Sequence, residues 1–231
     1  KCLRSTTGEG YSTHPLTSRK KAVEMTSLGS RVKKLQAIIR DSGGMLVAFS
    51  GGLDSTLLAA VAVKELGRKA LAVTALSPTY PAWERKEARH LARLLGIRHL
   101  VVESNELKIP GFAENPVNRC YFCKRELFKV LTDVARKHGL PVVVDGTNAD
   151  DLGDYRPGRK AAGEWGVRSP LLEAGLGKKD IRAISRRMGL PTADKPSFAC
   201  LASRFPYGSK ITSAKLKAVD LKLQPYGTTA K

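Results

Sequence analysis

One hexapeptide, Ser-Gly-Gly-Leu-Asp-Ser at residues 50–55, limits the possible folds of this 231-residue chain more than any other stretch. An apolar run of strand length, residues 45–49, precedes it, and an Ala- and Leu-rich run, residues 56–64, predicts a helix after it. Gly51 and Gly52 have no Cβ, so the backbone can turn sharply and approach a ligand closely. Free amides and the positive dipole end of the helix favour an anion there. The stretch therefore predicts a phosphate-binding turn.

The polar side chains of this turn agree with a bound phosphate. Ser50 and Ser55 supply hydroxyl donors, and the Asp54 carboxylate fits beside phosphate when magnesium lies between them. The turn lacks both the Walker sequence and the glycine spacing of dinucleotide folds. It resembles the pyrophosphate loop of the PP-loop ATP pyrophosphatases. That resemblance implies cleavage of ATP to AMP and pyrophosphate, with adenylation of a carboxylate or carbonyl oxygen. The alternative is a glycine turn that only joins strand to helix.

Strand and helix patterns alternate after this turn. Further apolar runs at residues 70–76, 98–103 and 142–145 predict strands, and residues 83–95 and 127–138 predict helices. Such alternation is typical of an α/β, doubly wound parallel sheet with helices on both faces. Together with the PP-loop resemblance, it implies an adenine nucleotide α hydrolase-like fold. Ligands of such sheets lie at the carboxyl ends of the strands, where Ser50, Ser77 and Gly146 are expected.

The pattern divides the chain into three parts. We interpret residues 1–27 as a disordered leader, because they are polar and lack periodicity. Residues 28–150 form the expected PP-loop ATP pyrophosphatase domain, which begins with an amphipathic helix. Residues 151–231 form a smaller C-terminal region, the expected substrate region. That region contains a basic helix at 178–188, a mostly irregular stretch at 194–212 and a last helix near 214–223.

The formal net charge of +19 is concentrated outside residues 45–150. It favours a polyanionic partner, either RNA or a phosphorylated small molecule. A solvated basic surface without a specific partner is the other interpretation. No apolar run is long enough for a membrane span, and the start has no signal-peptide core, so a cytoplasmic location is expected.

A second polar segment, Gly146-Thr147-Asn148 with Asp150 and Asp151, follows the last predicted strand. Its amides and side chains can reach a nucleotide held by the first loop, and either aspartate can help Asp54 to hold Mg²⁺. The competing interpretation is a helix start capped by Asn148 or Asp150. The two roles are compatible.

Three cysteines form the third candidate group: Cys120 and Cys123 are two residues apart, and Cys200 lies far downstream. The pair alone fits a redox couple, half of a zinc site or two buried thiols. The three together can hold three irons of a 4Fe–4S cluster and leave the fourth iron for an exogenous sulfide. Alternatively, Cys200 is itself a nucleophile or sulfur donor, with Lys195 and Arg204 favouring its thiolate.

Longer segments narrow the resemblance to one family. They are Asn-Pro-x-x-Arg-Cys-Tyr-x-Cys-Lys at residues 115–124, the run from Gly146 through Asp-Tyr-Arg-Pro-Gly to Arg159, Ser-Pro-Leu-Leu at 169–172 and the long motif around Cys200 at 195–208. All are similar to the LarE family, the PP-loop sulfur transferases of nickel-pincer cofactor synthesis. The similarity extends over about residues 31–212.

This resemblance implies adenylation of a carboxylate on a pyridinium biscarboxylate mononucleotide, followed by sulfur transfer that makes a thiocarboxylate. Some members sacrifice the cysteine that matches Cys200, whereas others use a cluster-bound sulfide. Cys120 and Cys123 favour the cluster route here. The implied cofactors are ATP, Mg²⁺ and a 4Fe–4S cluster, and Arg156, Arg159 and Arg204 are expected to neutralise substrate phosphate or carboxylates. The expected partners are this substrate, a sulfide donor, other nickel-pincer synthesis proteins and further copies of the chain.

One departure and two alternatives remain open. After Thr212 the sequence lacks the basic segment that the family uses against its substrate, so the C-terminal region is expected to be truncated or altered. A PP-loop enzyme that thiolates tRNA is the main rival, but no RNA-binding module is recognisable. A nucleotide- or cluster-binding protein without turnover is the other.

Overall fold

A four-stranded parallel sheet forms the centre of the protein. The computed structural model describes residues 16–153 and 157–227, with side chains for 27–153 and 157–223. The strands are β1 (Met45–Ala48), β2 (Ala70–Leu76), β3 (Arg98–Glu103) and β4 (Val143–Val144), in the order β3-β2-β1-β4. Val47 of β1 pairs with Ala72 on one side and with Val144 on the other. The first strand is therefore internal, and its carboxyl end lies in the middle of the sheet edge.

Eight helices surround this sheet in the described residues. They are α1 (Leu16–Asp41), α2 (Leu53–Leu66), α3 (Ala82–Leu95), α4 (Arg119–Lys137), α5 (Gly158–Glu164), α6 (Pro170–Glu173), α7 (Lys178–Arg187) and α8 (Ser213–Gly227). No helix of this part of the chain is long and apolar enough to cross a membrane.

Both faces of the sheet are covered at its internal strand β1. Met45 and Val47 belong to a core cluster that contains residues of α1, α2, α3 and α7, whereas Leu46 packs on the other face against Phe128 and Leu131 of α4. Successive strand residues point to opposite faces, so a strand covered on both sides has to be apolar throughout. This explains the continuous apolar run of β1 and confirms the predicted doubly wound α/β sheet.

A third apolar cluster connects the C-terminal region to the α/β body. Phe112 packs there with Leu201, Ala202, Ile211 and Leu216. The backbone adds hydrogen bonds from the Leu201 amide to the Thr79 carbonyl and from the Ile211 amide to the Ala113 carbonyl, at 3.0 and 2.7 Å. The segment that carries Cys200 is thus fixed against the strand ends.

Two helices begin earlier than expected. Helix α1 starts at Leu16 and therefore overlaps the leader predicted over residues 1–27, of which residues 1–15 lie outside the described part. An exposed glycine costs a helix only about 1 kcal/mol, and α1 continues through Gly29. Helix α4 starts at Arg119, not near Leu127, so Cys120 and Cys123 lie on its first turns. A Cys-x-x-Cys sequence has no apolar stripe from which such a start could be read.

Removing a large side chain from the first core cluster should destabilise the whole fold. Leu57 of α2 is completely buried, so we expect Leu57→Ala to lower the free energy of unfolding by about 2–5 kcal/mol. Leu94→Ala is the matched control, because this leucine is 59% exposed on α3 and its loss should change stability by less than about 0.5 kcal/mol. Urea unfolding followed by circular dichroism measures both; equal losses would contradict the packing described.

Candidate functional site

Hydrogen bonds between Ser50 and Ser55 fix the shape of the turn after β1. Gly51 has φ of +70°, and Gly52 is the extended residue at which α2 begins. The hydroxyls of Ser50 and Ser55 share a hydrogen bond of 3.1 Å, and the Ser50 amide donates to Ser55 Oγ at 3.3 Å. A Cβ on Gly51 would lie 3.2 Å from Ala88 Cα of α3. The turn therefore has the predicted shape, and its close approach to α3 requires glycine.

Two side chains from other elements support this turn from outside. The Tyr80 hydroxyl donates to the Ser50 carbonyl at 2.7 Å, and burial raises the pKa of Tyr80, which keeps it a donor. The Lys195 ammonium donates to the Gly51 carbonyl at 3.2 Å and to Glu87 Oε2 at 2.7 Å. Burial likewise raises the pKa of nearby Glu84, whose Oε1 lies 3.6 Å from the same ammonium. The sequence analysis gave Tyr80 no role, and it predicted that Lys195 favours the Cys200 thiolate instead of supporting this turn.

A cavity of about 530 Å³ lies along the carboxyl ends of the four strands. Each strand contributes polar residues where it ends: Ser50 after β1, Ser77 after β2, Glu106 after β3 and Asp145 after β4. Cys123 and Cys200 line the same space, together with Lys124, Lys178 and Phe198. The cavity thus joins the phosphate turn to two of the three cysteines.

Asp54, on the first turn of α2, is incompletely satisfied. Its Oδ2 forms an ion pair with Lys178, while its Oδ1 is buried without a hydrogen-bond partner among the described residues. Burial raises the pKa of Asp54, and the charge of Asp151 adds to this rise. Lys178 is the first residue of α7, and its amide donates to Asp150 Oδ2 at 2.8 Å. Sequence reasoning treated Lys178 only as part of a basic helix.

The fit of this corner to magnesium follows from these contacts. No group of three His, Cys, Asp or Glu side chains within the described ranges is arranged to hold a metal ion. Magnesium bound to phosphates needs only one or two protein carboxylates, however, because phosphate and water supply the other oxygens. The unpartnered Oδ1 of Asp54 and the neighbouring charge of Asp151 therefore fit a magnesium ion that arrives with a nucleotide.

The segment after β4 is tied into this corner by Asp145. This buried carboxylate accepts hydrogen bonds from the Thr147 amide at 3.1 Å, the Thr147 hydroxyl at 2.9 Å and the Ser169 hydroxyl at 2.8 Å. A Cβ on Gly146 would lie 3.1 Å from Asp54 Cβ, so the segment passes directly over the start of α2. Gly146 and Thr147, two of the predicted nucleotide-binding residues, line the cavity.

Asn148 has the capping role that competed with a nucleotide role. Its Oδ1 accepts from the Asp150 amide at 3.1 Å, and both its amide and its Nδ2 donate to Asp151 Oδ2 at 3.0 Å. Asn148 is buried, whereas Asp151 also lines the cavity. The capping interpretation is therefore correct for Asn148, and the bonds hold Asp151 towards Asp54.

The cysteines lie together at the other end of the cavity. Cys120 is exposed, and Cys123 and Cys200 line the wall. Burial raises the pKa of Cys123 to about 12, and the charge of Glu106 contributes to the rise. The walls of the cavity also desolvate Cys200, whose solvent-facing thiol has a raised pKa. Both thiols are therefore protonated at neutral pH.

This result corrects the expectation that Lys195 and Arg204 favour a Cys200 thiolate. Lys195 is engaged at Gly51 and Glu87, and the exposed Arg204 guanidinium lies 4.9 Å from the centre of the Phe198 ring. The cation that opposes the rise in the pKa of Cys200 is Arg119, which is buried at the start of α4. Proximity in sequence misled here because the Lys195 ammonium is held at Gly51 and Glu87.

The arrangement does not support a preformed iron–sulfur site. Each cysteine is close enough to influence the pKa of another, yet in residues 27–153 and 157–223 no three candidate ligands are placed to bind a metal ion. The predicted 4Fe–4S cluster therefore gains no support from the geometry.

Two other predicted residues, Arg159 and Arg204, do not line the cavity. Arg159 is exposed on the first turn of α5, outside the cavity lining, and Arg204 contacts the cavity only through Phe198. Arg156 lies outside the described residues. Nine of the predicted site residues line the common wall: Ser50, Gly52, Asp54, Ser55, Cys123, Gly146, Thr147, Asp151 and Cys200.

Comparison with known proteins agrees with this geometry. The asparagine synthase family model matches residues 39–170. The pyridinium-3,5-bisthiocarboxylic acid mononucleotide synthase of Lactiplantibacillus plantarum is 36% identical over 207 residues, which cover 88% of this chain and 75% of that protein. The chain belongs to the LarE family of PP-loop enzymes. It is accordingly an ATP-dependent sulfur transferase.

Other similar proteins place this LarE-family chain in a wider fold group. An uncharacterised protein, slr1717 of Synechocystis, is 47% identical over 192 residues, covering 83% of this chain and 72% of the relative. The solved structure of NMN synthetase from Francisella tularensis superposes with a TM-score of 0.57 and 18% identity, over 88% of this chain and 95% of that one. At that identity the likeness shows the fold alone.

The left-handed turn at Gly51 generates a prediction for this LarE-family protein. We expect Gly51→Ala to weaken ATP binding at least about tenfold, because the new Cβ meets Ala88 and displaces the turn. Gly43→Ala is the matched control: Gly43 has φ of +68°, and no described atom lies within 4 Å of the added Cβ.

Both substitutions should reduce stability by about 1 kcal/mol, the cost of a left-handed alanine. Calorimetric titration with ATP and magnesium separates the two effects. Equal ATP affinities for the two variants would contradict a nucleotide site at Gly51.

Proposed function

We propose that the protein adenylates a carboxylate of a pyridinium biscarboxylate mononucleotide and converts it to a thiocarboxylate for nickel-pincer cofactor synthesis. The observation that carries the proposal is the shared cavity, which has the phosphate turn at one end and Cys123 and Cys200 at the other. The printed activity of the Lactiplantibacillus relative supplies the substrate class. The cytoplasmic location, the sulfide donor, the partner proteins and self-association stay predictions from the sequence.

The phosphate end would hold the pyrophosphate of ATP. Ser50, Gly51, Gly52 and Ser55 offer hydroxyls and amides at the start of α2, where the helix dipole favours negative charge. Gly146, Thr147 and Asn148 bound the same corner from β4. These contacts favour one orientation of ATP, with its β and γ phosphates over α2 and its α phosphate towards the thiols.

Asp54 and Asp151 are the residues that would hold magnesium. When bound there, the ion would neutralise charge on the phosphates of ATP. Lys178 already contacts Asp54, so its ammonium adds positive charge where the leaving pyrophosphate gathers negative charge. The substrate carboxylate attacks the α phosphorus, and the bond to the pyrophosphate oxygen breaks. The products are an acyl-adenylate and pyrophosphate.

Cys200 is the group to which we assign sulfur transfer. Its thiol faces the cavity, so it can lose its proton and attack the acyl carbon while AMP leaves with the bonding electron pair. Removal of the Cα hydrogen as a proton and cleavage of the Cβ–Sγ bond then release a thiocarboxylate. The protein would lose the elements of one H₂S per turnover. Cluster delivery through Cys120, Cys123 and Cys200 is the competing route.

The first step can be tested by pyrophosphate release. We expect release from ATP to depend on pyridinium-3,5-biscarboxylate mononucleotide, and Asp54→Asn to lower its rate at least about a hundredfold. Asp41→Asn, at the exposed end of α1, is the control and should retain the rate.

Two results would contradict the proposed reaction. Release stimulated by tRNA and not by the pyridinium compound would indicate tRNA thiolation, which the net charge of +19 favours. Absence of AMP with every acceptor would indicate a binding protein without turnover.

The sulfur route can be tested by mass and by metal content. If Cys200 gives up its own sulfur, Cys120→Ala should retain a single turnover, Cys200→Ala should lose it, and the reacted wild-type protein should lack one H₂S in its mass spectrum. Anaerobic reconstitution that yields about four irons and four sulfides per cluster, with an inactive Cys120→Ala variant, would instead establish the cluster route.

A further inference from the structure

Glu106 is a buried carboxylate in the cavity wall to which the steps above give no role. It follows β3, in a short 3₁₀ turn over Glu106–Lys108 that Asn105 caps by accepting from the Leu107 amide at 3.2 Å. Glu106 is only 6% exposed, yet it lines the cavity. Its charge also acts on the Cys123 thiol, so its carboxylate faces the cysteine end.

One oxygen of this carboxylate lacks a hydrogen-bond partner among the described residues. Its Oε1 accepts from the Ser104 hydroxyl at 3.1 Å, but its Oε2 is buried with no hydrogen bond from the described residues. Two other cavity carboxylates differ in having cations nearby: Asp54 pairs with Lys178, and Asp145 Oδ2 lies 3.8 Å from Lys124. A buried carboxylate without such a partner costs several kcal/mol, which a ligand of opposite charge can offset.

The proposed ligands narrow the choice of that partner. ATP is an anion, and magnesium would lie at Asp54, on the other side of the cavity. The strand order puts the end of β3 two strands from the end of β1, or about 10 Å along the sheet edge, too far for one ion to bind both carboxylates. The remaining positive charge is the quaternary nitrogen of the pyridinium ring.

We propose that Glu106 is a specificity-determining residue, whose carboxylate pairs with the permanent positive charge of the pyridinium ring. The inference rests on the proposed function. The two carboxylates of that substrate lie on ring carbons 3 and 5, away from the nitrogen edge. One of them can therefore face the α phosphate of ATP while Glu106 lies beside the ring near its positively charged nitrogen, which carries the ribose. The site thereby selects a cationic ring over a neutral ring of the same size.

The test compares two probes of nearly equal size that differ in ring charge. They are pyridinium-3,5-biscarboxylate mononucleotide and its 1,4-dihydropyridine form, whose ring is neutral. Dissociation constants are measured by calorimetry for the wild type, for Glu106→Gln and for the control Glu103→Gln, which removes an exposed carboxylate at the end of β3. We expect Glu106→Gln to weaken binding of the pyridinium form about tenfold and to leave the dihydropyridine form unchanged.

Glu103→Gln should preserve the wild-type preference for the pyridinium form, and Glu106→Asp should preserve part of it. ATP affinity should remain unchanged in every variant, which also reports that each is folded. Equal weakening of both probes, or no weakening of either, would overturn the assignment. So would weaker ATP binding in Glu106→Gln, because it would place Glu106 at the adenosine.

The two proposals fail in different ways. If the wild type releases pyrophosphate with the pyridinium substrate and Glu106→Gln keeps the ring preference, the assignment of Glu106 is wrong and the proposed reaction stands. If the wild type binds the pyridinium form with a preference that Glu106→Gln loses, yet releases no pyrophosphate, the reaction is wrong and the assignment stands.

Discussion

The close contact between Gly51 and Ala88 is the constraint on which the site depends. A left-handed residue without a side chain lets the chain reverse directly over α3, so that α2 starts at the middle of the sheet edge. Tyr80 and Lys195 then reach the carbonyls of Ser50 and Gly51 from two other elements. Three parts of the chain therefore fix one turn, and its amides need no rearrangement to meet an anion.

The carboxylates that line the cavity differ in how completely their oxygens are hydrogen-bonded. At the β4 side, Asp145 has three hydroxyl or amide donors, and Asp151 is held by Asn148. Oxygens of Asp54 and Glu106 remain buried without partners in the described structure. A buried oxygen without a hydrogen bond costs free energy, so a ligand that bonds to it gains affinity. Burial in the wall of this cavity also raises the pKa values of the Cys123 and Cys200 thiols.

Much of the fold was predictable because the apolar pattern is strong. Strands β2 and β3 have the bounds that the sequence indicated, and the phosphate turn lies where its glycines predicted. The start of α4 was missed, since Cys120 and Cys123 give no periodic signal. Lys178 and Glu106 were missed for another reason: their importance comes from partners far away in sequence, or from the lack of one.

The short peptide from Lys195 to Cys200 limits where the two steps of the proposed reaction can take place. Lys195 is hydrogen-bonded to the phosphate turn, Leu201 is anchored by apolar packing and by the Thr79 carbonyl, and only four residues lie between Lys195 and Cys200. The chain from Lys195 to Cys200 spans at most about 18 Å, so it limits the distance between the phosphate turn and the Cys200 thiol. In the proposed reaction, both steps would then act on one acyl group that stays in place, because the turn and the thiol are both fixed.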